Sequence, residues 1–189
     1  FRALSILVLE DVPLTDDDLL HIHNLPSLEE LNLNCTGVCD TGIFYLVALR
    51  HTLTTLTLRG NRSVTDNALP ALLLLSRLRM LGLRGTIISM TGLRRLIPFS
   101  DYLFLDVPAD CEAYIDTLHT QYLLSPLPPL ITQPEVASTL ELAALKRNLS
   151  AHAAYNSAIS TTGNKSILCA QLIALLERRR GDLAVREMV

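Results

Sequence analysis

The constraint that bears hardest on this chain is a spacing of leucines. The pattern L-x-x-L-x-L occurs at Leu4/Leu7/Leu9, Leu28/Leu31/Leu33, Leu53/Leu56/Leu58 and Leu78/Leu81/Leu83, at intervals of 24, 25 and 25 residues. A degenerate fifth copy, "SDYLFLDV", places Leu103 and Leu105 in the second and third positions. Two leucines separated by one residue have the period of a strand with one buried face.

The agreement continues past each leucine triplet. An aliphatic residue (Leu14, Val38, Val64, Ile88) is followed by a small one (Thr15, Cys39, Thr65, Ser89), then by Asp16, Asp40, Asp66 or Met90. Aliphatics recur three residues on, at Leu19, Ile43, Leu69 and Leu93, and again at Ile22, Leu46, Leu72 and Leu96. The period has changed from 2 to between 3 and 4, so a helix is expected there. Thr15, Thr65 and Ser89 suit its N-cap, and an acidic residue in the first turn suits its dipole. No unit this short buries its leucines alone, whereas stacked units share one core between strands and helices. The βα units of a doubly wound sheet are longer, at about 30 residues or more.

These residues resemble the leucine-rich repeat family, and most closely the cysteine-containing repeats of F-box/leucine-rich-repeat proteins, with the form LxxLxLxxCxx(I/V)TDxG(I/L)xxL. "LEELNLNCTGVCDTGIFYL" and "LTTLTLRGNRSVTDNALPAL" carry the resemblance best, and it spans residues 4–106. It implies an α/β solenoid of short parallel strands and helices. It also implies a protein-interaction scaffold that serves as the substrate-recognition part of a ubiquitin-ligase receptor. No F-box is found within the sequence. The ladder position three after the third leucine holds Val12, Thr36, Asn61 and Thr86, so only Asn61 keeps the family's inward asparagine. Cys35 falls one residue early, and a slightly irregular solenoid is expected.

In such a solenoid, residues between and beside the strand leucines point away from the core and form the default binding surface. Here they are Ile6, Val8, Glu10, Glu30, Asn32, Asn34, Thr55, Thr57, Arg59, Met80, Gly82, Arg84, Tyr102, Phe104 and Asp106. The row opens acidic, turns basic at Arg59, Arg79 and Arg84, and closes on two aromatics. Arginine beside exposed aromatics is the composition of an interaction hot spot. The expected protein-binding residues are Glu30, Asn32, Thr57, Arg59, Arg84, Tyr102 and Phe104. The competing reading is an ordinary solvated face whose aromatics the next element covers.

The period fails after Asp106. The solenoid is expected to occupy residues 1–124, with 110–124 as the fifth unit's helix. A linker or strap of four prolines in ten residues follows at 125–134, and a helical extension at 135–189. Thr132 and Glu135 have capping-box spacing for a helix to about Ser150. Leu168, Leu172, Leu175 and Leu176 mark a second helix, Ile167 to Arg180, with Arg178, Arg179 and Arg180 in its last turn and Gly181 as C-cap. These helices either cap the solenoid or dock a partner. The alternative function is thus a structural subunit of a larger complex, nucleic-acid-associated in one version. Nucleic acid is nonetheless not an expected partner of this chain, because three arginines at a helix end form an ordinary solvated terminus and the net charge is only −3.

Chemistry has little to draw on. No G-x-S-x-G, P-loop or dinucleotide fingerprint is present. Cys35-x3-Cys39 with His21, His23 and His51 lacks the paired, tighter spacing of a zinc site. No catalytic, metal or cofactor-binding residue is expected, and the chain is not expected to be an enzyme. The start at Phe1, the absence of a signal peptide, and apolar runs far shorter than a membrane span suggest an excised piece of a longer protein with no membrane partner. Four scattered cysteines suggest a reducing compartment, cytoplasm or nucleus. The sequons at Asn34, Asn61, Asn148 and Asn164 do not alter that reading, because Asn61 is expected to point inward.

Overall fold

The computed structural model describes Phe1, residues 3–99 and residues 102–189, with the backbone alone at Phe99. Ser100 and Asp101, which open the fifth leucine copy, lie outside the described residues. The fold is α/β. Five three-residue strands form one parallel sheet in sequence order: β1 (Ile6–Val8), β2 (Glu30–Asn32), β3 (Thr55–Thr57), β4 (Met80–Gly82) and β5 (Phe104–Asp106). The chain divides into two compact units, Phe1–Glu112 with Ala184–Val189, and Ala113–Leu183.

In the first unit the register pairs Leu7 with Leu31, Leu31 with Leu56, Leu56 with Leu81 and Leu81 with Leu105. The central leucines of β2 to β5 are at most 1% exposed, while Ile6 and Val8 on the opposite face are 52% and 60% exposed. The backbone ladder continues past the strands. Leu9, Leu33 and Leu58 donate their N–H to Asn32, Thr57 and Gly82, and two residues later Asp11, Cys35 and Gly60 donate to Asn34, Arg59 and Arg84. Asp11, Cys35, Gly60 and Gly85 all have positive φ, from 53° to 78°. Each chain thus turns off its strand through the left-handed region, which glycine enters without strain. Cys35 occupies this exposed corner rather than the ladder position after it.

The connections are shorter and more mixed than a single helix. The first is a 3-10 helix, Asp16–Asn24; the others combine 3-10 turns with short helices α1 (Asp40–Tyr45), α2 (Leu69–Leu72) and α3 (Met90–Arg94). Their apolar residues Ile43, Leu46, Leu69, Leu72, Leu93 and Leu96 join the strand leucines in the core.

The aspartates do more than suit a dipole, because each one caps the next connection. Asp16 accepts from the N–H and thiol of Cys39, Asp40 from the N–H and hydroxyl of Thr65, and Asp66 from the N–H and hydroxyl of Ser89. The arrangement explains Met90. The next helix, α4 (Ala109–Asp116), begins after Pro108, which has no N–H for an aspartate at position 90 to accept. It also explains a small residue at Gly42, where a side chain would collide with the Asp16 carboxylate.

The second unit contains a 3-10 turn at Leu118–Thr120, the proline-rich segment, a 3-10 helix (Pro134–Thr139), helix α5 (Leu142–Ala153) and, up to Leu183, helix α6 (Lys165–Met188). Its core is Ala137, Leu145, Leu149, Leu168, Leu172 and Leu176, with Ile131, Leu140 and Ile159 against it. Three expectations are corrected here. The helix expected from Glu135 is two helices, because Leu140 is extended (ψ 145°) and turns its side chain into that core. The capping box of Thr132 and Glu135 is replaced by Gln133 at the N-cap, and Glu135 instead accepts from Arg180 at 2.9 Å. Gly181 is not a C-cap: α6 runs through it for two further turns. Buried Arg179 and Asp182 on either side of Gly181 hold the helix there. Arg179 donates to the Leu123 carbonyl at 3.1 Å, and Asp182 accepts from Tyr114 and Tyr122.

Candidate functional site

The open face of the sheet carries the residues singled out from the sequence, and the structure divides them into two groups. At the β4–β5 end, Asp106 joins two arginines. Arg59 Nε donates to it at 2.6 Å and Arg84 Nε at 3.2 Å, while Arg84 also reaches Glu112 at 2.9 Å. The Asp106 hydrogen bond, with Glu112 close by, holds the Arg84 guanidinium above its ordinary pKa. Both arginines remain about half exposed, whereas the Asp106 side chain is only 14% exposed. Two of the three arginines read from the sequence as a basic patch, Arg59 and Arg84, therefore belong to a four-member chain of alternating charge with no net charge, and Arg79 lies outside it. Asp106 was only one of the outward row, and Glu112 lay beyond any period; neither carried a signal of this role. Beside them Tyr102 lies under Arg79, whose guanidinium carbon is 5.7 Å from the ring centroid, and Phe104 is exposed.

At the β1–β3 end the surface is open. Ile6, Val8, Glu30, Asn32, Thr55 and Thr57 line a groove of about 200 Å3. Glu30 is exposed and has no charged partner among the described residues, and the buried Thr57 hydroxyl has no hydrogen-bond partner there. Asn32 donates to Glu10 at 3.1 Å, which holds the groove's rim. Asn34, expected to face outward, is instead 7% exposed. Its Oδ1 accepts the Arg59 N–H and its Nδ2 reaches Glu10, so it pins the turn after β2 to the turn after β3.

No family model matches this chain, and no curated protein matches it. What the face can do therefore rests on its own geometry: an apolar pair, a free carboxylate and a polar floor on an even parallel sheet. Among the described residues no helix is long and apolar enough to cross a membrane.

Asn61 supports this face from inside. It is 1% exposed, accepts from Thr36 N–H and Gly37 N–H, and donates to the carbonyls of Leu33 and Leu58. Thr36 and Thr86, which depart from the ladder asparagine, each return one hydroxyl bond to the carbonyl three residues back.

The second unit has its own buried polar group. Asp182 is wholly buried and accepts from Tyr114 and Tyr122 at 3.0 and 2.9 Å, and burial with these bonds raises the Tyr122 pKa far above its ordinary value. His152 Nδ1 accepts from the Leu123 N–H, so its proton sits on Nε2, which has no partner among the described residues. Burial, then the Arg179 charge, pushes the His152 pKa down to about 4. Of the three consecutive arginines, Arg179 is buried here, Arg180 pairs with Glu135 and Arg178 is exposed, so they form no common patch.

Proposed function

We propose that the chain is a leucine-rich-repeat solenoid that binds a protein partner without catalysis, through the open face of its sheet. The reading follows the resemblance in extending to substrate recognition for a ubiquitin ligase. The observation that carries it is the β1–β3 groove, where exposed Ile6 and Val8 stand beside an unpaired Glu30. Apolar side chains on an open sheet face lose free energy to water, and a partner recovers it. The free carboxylate favours a basic side chain whose methylene stem packs on Ile6 and Val8. The alternating charges of Arg59, Asp106, Arg84 and Glu112 set register at the other end. A reducing setting, in the cytoplasm or nucleus, accords with four free cysteines and with the buried amides at three of the four sequons, Asn34, Asn61 and Asn148, where a glycan has no room; Asn164 is exposed.

Photo-crosslinking residues placed one at a time at Val8, Thr55, Asn67 and Ile167 test this. Val8 and Thr55 are expected to yield one discrete adduct containing ligase components, and Asn67 and Ile167 none. Adducts from Ile167 alone would move the binding surface to the helices, as in a structural subunit, and overturn the reading.

A further inference from the structure

The two ends of the parallel sheet are finished differently. At the β5 end Leu103, Leu105 and Val107 are at most 4% exposed. At the β1 end Leu4, Leu7, Leu9 and Leu14 stay partly exposed, although the matching Leu28, Leu31, Leu33 and Val38 are at most 1% exposed. A pocket of about 300 Å3 opens there, with Leu7, Leu9, Leu14, Leu19 and Ile22 in its walls beside Asp18. The strand above it has a free edge, because β1 is the outermost strand. Leu9 donates its N–H to Asn32, and the Ser5 carbonyl accepts from Glu30, so the odd-numbered residues of β1 bond toward β2. Peptide groups alternate along a parallel strand, which leaves the N–H and C=O of Ile6 and Val8 pointing to the free edge.

This end is not shaped for another strand and connection of the same kind. Cys39, Thr65 and Ser89 are each capped by an aspartate of the preceding connection. Thr15 is capped from within its own: Asp18 accepts from its N–H and its hydroxyl, at 2.7 and 2.8 Å. Asp18 stands where later copies have Gly42, Ala68 and Gly92, and at both glycines a side chain would collide with the preceding aspartate. Asp18 thus fills the place that such a carboxylate would take. Pro13 agrees with this. Its counterpart Ile87 donates its N–H back to the Val64 carbonyl, and a proline has none to give. The turn is complete in itself while the strand edge and the pocket stay open, which suits an incoming strand without a connection of its own.

Charge selects that strand. Residues 3–49 hold eight carboxylates and no lysine or arginine. Glu10, Asp11, Asp17, Asp18, Glu29 and Glu30 are exposed, and none of them makes an ion pair among the described residues. A second copy of this edge would be equally acidic and is repelled, whereas a basic strand is attracted.

We propose that the free edge of β1 takes up a short basic strand of a partner protein. Its backbone pairs with Ile6 and Val8, a leucine or isoleucine aligned with Leu7 enters the pocket, and flanking lysines or arginines lie among the carboxylates. The residues on either side of that leucine fall beside Ile6 and Val8 on the open face, by the alternation of a strand. This edge site goes beyond the open-face reading and stands without it.

The probe is acetyl-Lys-Thr-Leu-Thr-Leu-Lys-Lys-amide, titrated into the full chain and followed by amide NMR shifts. Saturable shifts at submillimolar probe are expected in β1 and the 3-10 helix Asp16–Asn24, with affinity falling as salt rises. Replacing the lysines by glutamate, or both leucines by alanine, should weaken binding at least tenfold. Only alternate amides of a paired strand face its neighbour. N-methylating either the leucines or the threonines should therefore abolish binding, and methylating the other set should leave it. Val8→Pro removes an edge-facing N–H and no bond to β2, so it should keep the fold and weaken binding about tenfold. Absence of saturable shifts, equal binding of the glutamate probe, equal tolerance of both methylated sets, or unchanged affinity in a folded Val8→Pro variant would overturn the proposal.

Discussion

Removing the Asn61 side chain tests how the first unit is held together. Asn61→Ala leaves Thr36 N–H buried without its acceptor and Gly37 N–H partly so, and it removes one of two donors from each of the Leu33 and Leu58 carbonyls, which keep the Thr36 hydroxyl and the residue-61 N–H. Each buried bond contributes about 1 kcal/mol net, and an amide-sized void adds to the loss, so the expected cost is ~3–4 kcal/mol. Asn61→Thr is the informative partner. Thr36 and Thr86 already bond the carbonyls of Leu33 and Leu83, at 2.9 and 2.8 Å, from the corresponding position. A threonine at 61 should keep the bond to Leu58 and lose those to Thr36, Gly37 and Leu33. Its expected cost is about half that of alanine. Urea unfolding followed by far-UV circular dichroism reads both, with a midpoint shift of ~1.5–2 M for alanine at unchanged slope. A cost below about 1 kcal/mol for alanine, or a threonine variant no better than alanine, would refute the ladder argument.

Two further outcomes follow from local chemistry. His152 has a folded pKa of about 4 against an ordinary 6.5, so the folded state binds fewer protons than the unfolded one between these values. Its contribution is fully present above pH 6.5 and is lost as pH falls toward 4, by roughly 3 kcal/mol in all; in urea melts across that range, His152→Gln should flatten the dependence, and an unchanged slope would contradict it. Cys35→Gly should raise the melting temperature by about 2 °C in calorimetry. It relieves a non-glycine residue at φ 53° and clears the thiol packed against Gly60, at a smaller cost in chain entropy; a lower melting temperature would contradict this.

Much of the first unit was legible because one period dictates it. Leucines at 7, 31, 56, 81 and 105 can all face inward only if successive strands run parallel in matching register, and that is how they pair. The inward Asn61 followed from its place in the same period. The helical stretch after each strand was legible in kind but not in detail, because 3-10 and α turns share nearly the same apolar spacing.

The sequence by itself thus determined the α/β class, the parallel strands and the two faces of the sheet, since local periodicity and burial impose these on any chain with this pattern. Only the tertiary structure decided which polar groups meet. Asp106 finds Arg59 across 47 residues and Asp182 finds Tyr122 across 60, separations over which no period operates. Gly181 illustrates the limit most plainly. Locally it reads as a helix end, yet the helix passes through it because Arg179 and Asp182 on either side find their partners only in the folded chain.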